Sequence, residues 1–566
     1  MSFRREPPRV VGMRQKPLSP ALISRLAALT VACFSLTNPA VTRAELPPVG
    51  LSEVRAQRFD DEDLLFYAPT AGDHFAWAAA AGDFDGDGAD DLATGIPFHE
   101  GLVGSGCVDC GIVVVRYGAP DVGLAGGLAD TVLYQGLAGS PDPPEGGDRF
   151  GEALAAGDFN GDGFDDLAVG IPHELFDGNV RDGSVVVYYG AAGGIQIAGA
   201  ELLDETLPWT EVAFPHQGGS DEFGLTLAVG NFDGDGFDDL AIGTPRGTVQ
   251  IDANTVIRAG EVFVAHGSAE GLLPLLGYGI SQHSNGIFGD PAAGERFGLG
   301  LAAGDFDADG DDDLAIGVPN EGDNGSIYVI SGSQFGLIFA DSVFWAPGAL
   351  GQVPEAGDRL GYSLAAADFD GDGHDDLAIG DPSEDLGASN EIADAGSVSV
   401  AYGAPGGFDL SRTATFTQGV AYADPAEDQT GDQLGWTMAA GDFDGDGAAD
   451  LVIGHPGEDR AGQTNTGAAA ILMGAPGAGL GARTGSIGAG RSGVPGINQA
   501  HSDFARTLAA GDFDGNGFAD LVAGAPWFDA PSLGDVGYEI VLYGSLFSDG
   551  FEVGGVDRWS DSFPQP

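Results

Sequence analysis

Lysine is almost missing from this chain: Lys16 is the only one, and the other basic residues are arginines. With 22 basic residues against 86 acidic ones, the formal net charge is −64. A phosphate backbone needs Lys and Arg to neutralise it, so nucleic acid is excluded as a partner. Cysteine is scarce too, with three in 566 residues. There is no second cysteine pair to complete a four-ligand zinc site. The nine histidines are scattered, with no His-Glu-x-x-His spacing, and no Gly-x-Ser-x-Gly elbow stands before a helix. Helical periodicity is absent, and no apolar run is long enough to span a bilayer.

What is abundant is aspartate, 63 residues against 23 glutamates. Solubilising acidity would use both; short carboxylates concentrated in loops point to cation binding. Hydrophobic residues make up 43% and aromatics 9%, enough for a core, so the acidity does not signal disorder.

The first 44 residues read as an export signal. Arg4, Arg5, Arg9, Arg14 and Lys16 precede the short apolar stretch Leu26 to Leu36, and Thr42-Arg43-Ala44 offers small residues for cleavage. Export predicts a secreted, cell-surface or periplasmic protein. In that oxidising setting Cys107 and Cys110 are expected to close a short surface loop as a disulfide. Residues 546–566 read as a C-terminal tail.

Between these ends one unit is written seven times. The first copy reads Gly82-Asp83-Phe84-Asp85-Gly86-Asp87-Gly88-Ala89-Asp90-Asp91-Leu92-Ala93, and successive copies start 75, 73, 74, 63, 74 and 70 residues apart. A small-residue strand precedes each acidic loop. An apolar strand and a Gly-x-Pro follow it, and a third strand ends in most copies on an aromatic and a glycine. Short strands, Gly/Pro punctuation and seven repeats predict an all-β, seven-bladed β-propeller over residues 45–545. The last copy stops after its third strand. Leu64-Leu65-Phe66-Tyr67 resembles the missing fourth, so the N-terminal strand is expected to complete the last blade and remove an exposed edge.

Within each loop, oxygen donors at positions 1, 3, 5 and 9 can wrap a hard cation, and glycine at position 6 permits the sharp turn. The donor sets are Asp83, Asp85, Asp87, Asp91; Asp158, Asn160, Asp162, Asp166; Asn231, Asp233, Asp235, Asp239; and Asp305, Asp307, Asp309, Asp313. The last three are Asp368, Asp370, Asp372, Asp376; Asp442, Asp444, Asp446, Asp450; and Asp512, Asp514, Asn516, Asp520. Ala308 replaces a usual glycine in the fourth. Dense carboxylates without His or Cys favour calcium over transition metals, and magnesium would keep more water. About seven structural calcium ions are expected, one clamping each hairpin.

The arrangement resembles the FG-GAP repeat of integrin α-subunit propellers. Phe-Gly opens copies at Phe150, Phe223 and Phe297, with Leu360-Gly361, Leu434-Gly435, Phe75-Ala76 and Phe504-Ala505 as variants. Gly-x-Pro stands at Gly95, Gly170, Gly243, Gly317, Gly380, Gly454 and Gly524. The resemblance implies a seven-bladed propeller with calcium in its hairpins, in a bacterial-type secreted form without the integrin leg domains.

Two functions fit these features. One is an extracellular binding or adhesion module for a protein or glycan, monomeric, with no catalytic residues. Phe176, Trp209, Phe214, Phe288, Trp345 and Trp527 are candidate contacts, although packing between blades is the commoner role for each such residue. The other is a polysaccharide-cleaving enzyme whose site gathers on the loop face.

Overall fold

The first strand of each repeat is rich in alanine and glycine because it lies innermost. Ala78–Gly82 reads Ala-Ala-Ala-Ala-Gly and Ala153–Gly157 reads Ala-Leu-Ala-Ala-Gly. The second strands, such as Asp91–Ile96 and Asp166–Ile171, are buried at every position, as expected of strands covered on both faces. A computed structural model describes residues 56–544, apart from 61–69, 101–106, 125, 177–179, 208, 210–220, 253–254, 388–389, 422–427, 461, 482, 490–493 and 531–532. The expected export signal and C-terminal tail lie outside the described residues.

Seven four-stranded antiparallel sheets form the fold. In blade 2 the order from the inside is Ala153–Gly157, Asp166–Ile171, Ser184–Tyr189 and Gln196–Leu203, with Gly157 opposite Asp166 and Val186 opposite Val169. Blades 1 and 3–6 repeat this order. The innermost strands touch in sequence round the ring, and Thr507–Gly511 of blade 7 returns to Ala78–Gly82 of blade 1. This is the all-β seven-bladed propeller that the repeats predict. Among the described residues the only α-helical turn is Gln418–Ala421.

Blade 7 takes its outermost strand from the other end of the described chain. Ala56–Phe59 pairs antiparallel with Glu539–Leu542, Ala56 opposite Leu542. This strand lies earlier than Leu64–Tyr67, the segment that spacing singled out, which falls outside the described residues. Arg116 and Glu539 join blades 1 and 7 by a buried ion pair of 2.7 Å, and the Thr94 hydroxyl donates to the same carboxylate.

The Phe-Gly and Gly-x-Pro pairs have one packing role. Phe75, Phe150, Phe223, Phe297, Leu360, Leu434 and Phe504 are fully buried. The glycine after the phenylalanine is squeezed between two blades. Gly151 N–H donates to Gly170 O of its own blade at 3.0 Å, while a Cβ on Gly95 of the preceding blade would strike Gly151 O. Neither Gly95 nor Gly151 has room for a side chain, although blades 1 and 7 carry Ala76 and Ala505 at the second position of the Phe-Gly pair.

Candidate functional site

Each acidic loop connects the two inner strands at one end of the ring. The four predicted donors of every copy therefore fall in one hairpin loop. Position 1 organises the turn: Asp83 accepts the N–H groups of Gly86, Asp87 and Gly88, and Asp442 accepts those of Gly445, Asp446 and Gly447. Position 4 is left-handed (Gly86, φ 73°), and Ala308 adopts the same region in the fourth loop at φ 55°, a costlier conformation for a residue with a Cβ. Position 5 closes a second small turn, as where Asp87 accepts the Ala89 N–H and Asp162 the Phe164 N–H.

Position 9 is the buried anchor. Asp91 accepts Phe84 N–H on one oxygen and Gly118 N–H, from the end of the third strand, on the other, at 2.9 and 2.7 Å. Asp166, Asp239, Asp376, Asp450 and Asp520 repeat both bonds. Asp313 takes the Gly332 N–H in the same way. Burial, reinforced by Asp85 and Asp83, pushes Asp91 up to about 8. Asp166, Asp376 and Asp520 likewise reach about 8, and Asp313 and Asp450 about 7, with burial the first cause in each.

Oxygens of Asp83, Asp85 and Asp91 lie within 4.8 Å of one another, as do those of Asp305, Asp307 and Asp309. Carboxylates this close together fit a hard divalent cation. Two loops differ. In blade 5 the Arg412 guanidinium reaches in from the outermost strand and pairs with Asp370. In blade 3 His266 lies against Asp233 and Asp239. Both intruders come from later strands of their repeats, so the spacing of the loop itself carries no sign of them.

Position 8 escaped the sequence reading. Asp165 of blade 2 accepts the N–H of Asp83 in blade 1 at 2.8 Å, and its own N–H donates to Asp83 O at 3.1 Å. Asp238, Asp312, Asp375 and Asp90 make the same reciprocal pair with Asp158, Asn231, Asp305 and Asp512. The signal was present as the Asp-Asp doublet, whose first member serves the joint between blades and not its own loop.

The opposite end of the inner strands carries a different chemistry. Trp527, His74, Phe98 and Trp77 pack edge to face, with His74 4.0 Å from Trp527 and Trp77 4.9 Å from Phe98 between ring centres. Arg506 lies over Trp436 at 4.6 Å and Trp77 at 5.4 Å, and Trp436 meets Tyr362 at 4.9 Å. Arg149, over Phe98 at 4.7 Å, leads from this belt into a cleft of about 360 Å³ that also holds Glu152, His173, Glu222, Arg246 and Arg296. Burial, with Glu222 adding, pushes Glu152 up to about 7 against the pull of Arg149.

Of the aromatics singled out from sequence, Trp527 joins this belt. Trp209 is buried against Phe223 and Phe263, and Trp345 against Phe408, so both pack within the fold. Phe288 is exposed and tilts on Phe344. Phe214 lies outside the described residues, as does the placement of the Phe176 side chain. Cys107 and Cys110 form the expected disulfide, with Cα atoms 6.0 Å apart.

A closed ring of seven sheets with one acidic hairpin per blade defines the class: a β-propeller with repeated candidate cation loops. The FG-GAP repeat family matches at residues 75–106, 150–188, 223–263, 297–330, 360–401, 434–472 and 504–539, one match per blade. The chain is a seven-repeat FG-GAP protein, homologous to integrin α subunits. It is 32% identical over 246 residues to integrin alpha pat-2 of Caenorhabditis briggsae, covering 41% of this chain and 18% of that one. Integrin alpha-PS2 of Drosophila melanogaster is 29% identical over 42% of this chain and 15% of its own. Phosphatidylinositol-glycan-specific phospholipase D of Rattus norvegicus is 34% identical over 28% of this chain and 18% of its own. The matches thus span less than a fifth of each relative's length. No helix among the described residues is long and apolar enough to cross a membrane.

Proposed function

We propose that this propeller is a secreted or surface-exposed, calcium-stabilised binding module that takes a protein or glycan ligand at the aromatic end of the ring. The observation that carries this reading is the belt from Trp527 through Trp77 and Arg506 to Tyr362, beside the Arg149 cleft. Flat rings with an adjoining arginine offer stacking to a sugar or an aromatic side chain, and charge to an acidic group. Calcium belongs to the other end. Bound at the acidic loops, it would neutralise the clustered carboxylates and stabilise each hairpin, with Asp83, Asp85 and Asp91 and their counterparts as holders. Integrin kinship supports an extracellular adhesion role. The test is a glycan array together with a panel of extracellular matrix proteins, probed with calcium-loaded protein. Trp77→Ala and Trp527→Ala should weaken any ligand found by at least about tenfold, the loss of roughly 1.4 kcal/mol of contact. Unchanged affinity in both variants would move the site elsewhere.

One observation favours a second reading as a polysaccharide-cleaving enzyme. Glu152 stands 3.6 Å from His173 in the cleft, with its carboxyl raised into the range of a general acid. Reducing-end and ultraviolet assays on acidic and neutral polysaccharides decide this. Turnover lost in Glu152→Gln, with calcium content and melting intact, would replace the binding module by an enzyme.

A further inference from the structure

The third blade departs at one position that in four other blades ties neighbouring blades together. In blades 1, 2, 5 and 7 the third strand leads into a tyrosine whose hydroxyl accepts a backbone N–H of a neighbouring blade. Tyr117 takes that of Ile195, Tyr189 that of Leu272, Tyr402 that of Leu480 and Tyr543 that of Leu124, at 3.0–3.3 Å. Blade 3 has His266 at this place. Its joint with blade 4 is still made, because Tyr278 of the outermost strand takes the Leu337 N–H at 3.0 Å. His266 is therefore released from the structural duty of the position.

It turns instead into the acidic loop of its own blade. His266 is 7% exposed, and its Nδ1 lies 3.3 Å from Asp233 Oδ2 and 3.2 Å from Asp239 Oδ2. Donor atoms 2.0–2.2 Å from a shared tetrahedral or octahedral ion stand roughly 3.0–3.5 Å apart, which is the spacing found here. Position 1 is also altered. Asn231 replaces the aspartate of the other six loops, and its Oδ1 is buried without a hydrogen-bond partner. The residue leaning on the loop from the next blade differs as well. Phe164, Phe237 and Phe518 cover Gly86, Gly161 and Gly445, but Asp311 lies against Gly234.

We propose that the blade 3 loop is a transition-metal site of the zinc class, held by His266 Nδ1, Asp233 and Asp239 with Asn231 beside them, distinct from the hard-cation loops of the other blades. An imidazole among carboxylates suits zinc and its neighbours, whereas all-oxygen sets suit calcium. The inference rests on the reading that these loops bind cations, and it splits them into two kinds. The rival arrangement is an imidazolium ion standing in for the metal as a built-in counter-ion.

The experiment uses the full mature chain, stripped with a chelator and returned to saturating calcium, then titrated with cobalt(II) as an optical stand-in for zinc. One cobalt per chain with ligand-field bands is expected, resistant to calcium and displaced by zinc. His266→Gln, which supplies an oxygen in place of the nitrogen, should abolish the bands while leaving the calcium content of the other loops unchanged. Asp233→Asn, which spares the Asp239 anchor, should weaken cobalt binding as a second check. Absence of stoichiometric cobalt, or cobalt bound equally by His266→Gln, overturns the proposal and leaves the ion-pair arrangement. Calcium measured in the same samples separates the two readings, since its failure to bind would sink the hard-cation loops whether or not cobalt binds at His266.

Discussion

Five of the seven joints between blades are held by a reciprocal pair of hydrogen bonds, and two are not. Where blade 2 meets blade 1, the Asp165 carboxylate and amide both engage Asp83. Where blade 6 meets blade 5 and blade 7 meets blade 6, position 8 is Ala449 and Ala519, and of the reciprocal pair only the backbone bond to Asp368 O or Asp442 O remains, at 2.8 and 3.0 Å. The acidic loops on either side keep their four candidate donors, so the first aspartate of the doublet is not part of that donor set. Two neighbouring carboxylates thus do separate work: the second anchors its own hairpin, the first latches the hairpin before it. Burial raises the latch residues Asp90, Asp165, Asp238, Asp312 and Asp375, with neighbouring aspartates adding, so the ionised form of each latch is disfavoured where the carboxylates crowd together.

The most severe way to break this comparison is to open the joint where the ring closes. A chain shortened past Phe59 leaves the Glu539–Leu542 edge unpaired, and it should associate or fail to fold, judged by sedimentation and melting. A monomer of unchanged melting temperature would make the strand dispensable.

Removing calcium should come next. If the loops bind it, each site contributes about 2.7 kcal/mol at a hundredfold excess over its Kd. The sign with pH follows from the anchors. A carboxyl raised to about 7–8 when folded favours the fold below its ordinary value near 3.8 and loses that contribution as pH rises through 7–8. The chelated protein should therefore melt higher at pH 5 than at pH 8, and added calcium should help more at pH 8. Scanning calorimetry at both pH values, with and without chelator, measures this, and an equal calcium effect at the two would move the ion away from the anchors.

Glu539→Ala is the sharper cut at the closing joint. It leaves Arg116, whose side chain is 3% exposed, without its buried partner, at a cost of about 3–5 kcal/mol in chemical denaturation. A loss below about 1 kcal/mol would mean that Asp130, 3.7 Å from Arg116 and partly exposed, suffices as its counter-charge.

The architecture was legible because each repeat is one supersecondary unit, and its punctuation survives in Phe-Gly, the acidic loop and Gly-x-Pro. That the four candidate donors of each copy share one loop was legible for the same reason, since all lie within nine consecutive residues. What escaped involves contacts between strands and between blades. His266 and Arg412 reach the loops of blades 3 and 5 from strands well downstream. The latch role of Asp165 depends on a partner 82 residues away. The aromatic belt also gathers from several repeats: Trp77, Trp436 and Arg506 occupy matching places at the starts of inner strands and meet only in the ring. Trp527 lies in a variable segment, whereas Trp77, Trp436 and Arg506 sit inside the repeat motifs themselves.

The smallest expected effects test the latch itself. Asp165→Ala leaves the part-buried Asp83 N–H without its carboxylate acceptor, a penalty toward the lower end of the roughly 1–3 kcal/mol of a buried donor. Relief of repulsion from Asp83 and Asp158 offsets part of it, so a net loss of about 1 kcal/mol is expected. Ala449→Asp performs the reverse change, offering the Asp368 N–H the acceptor that the other joints have. It also places a carboxylate near Asp375, which already feels Asp368. Its stability change should therefore fall within about 1 kcal/mol of zero and be more favourable at pH 5 than at pH 8. Hydrogen exchange reads the latch without depending on that balance. In the native chain the amides of Asp368 and Asp442 should exchange faster than those of Asp83, Asp158 and Asp305, and Ala449→Asp should slow Asp368 alone. Equal protection at all five amides would show that the backbone bonds hold every joint and that the aspartate latch contributes nothing to its closure.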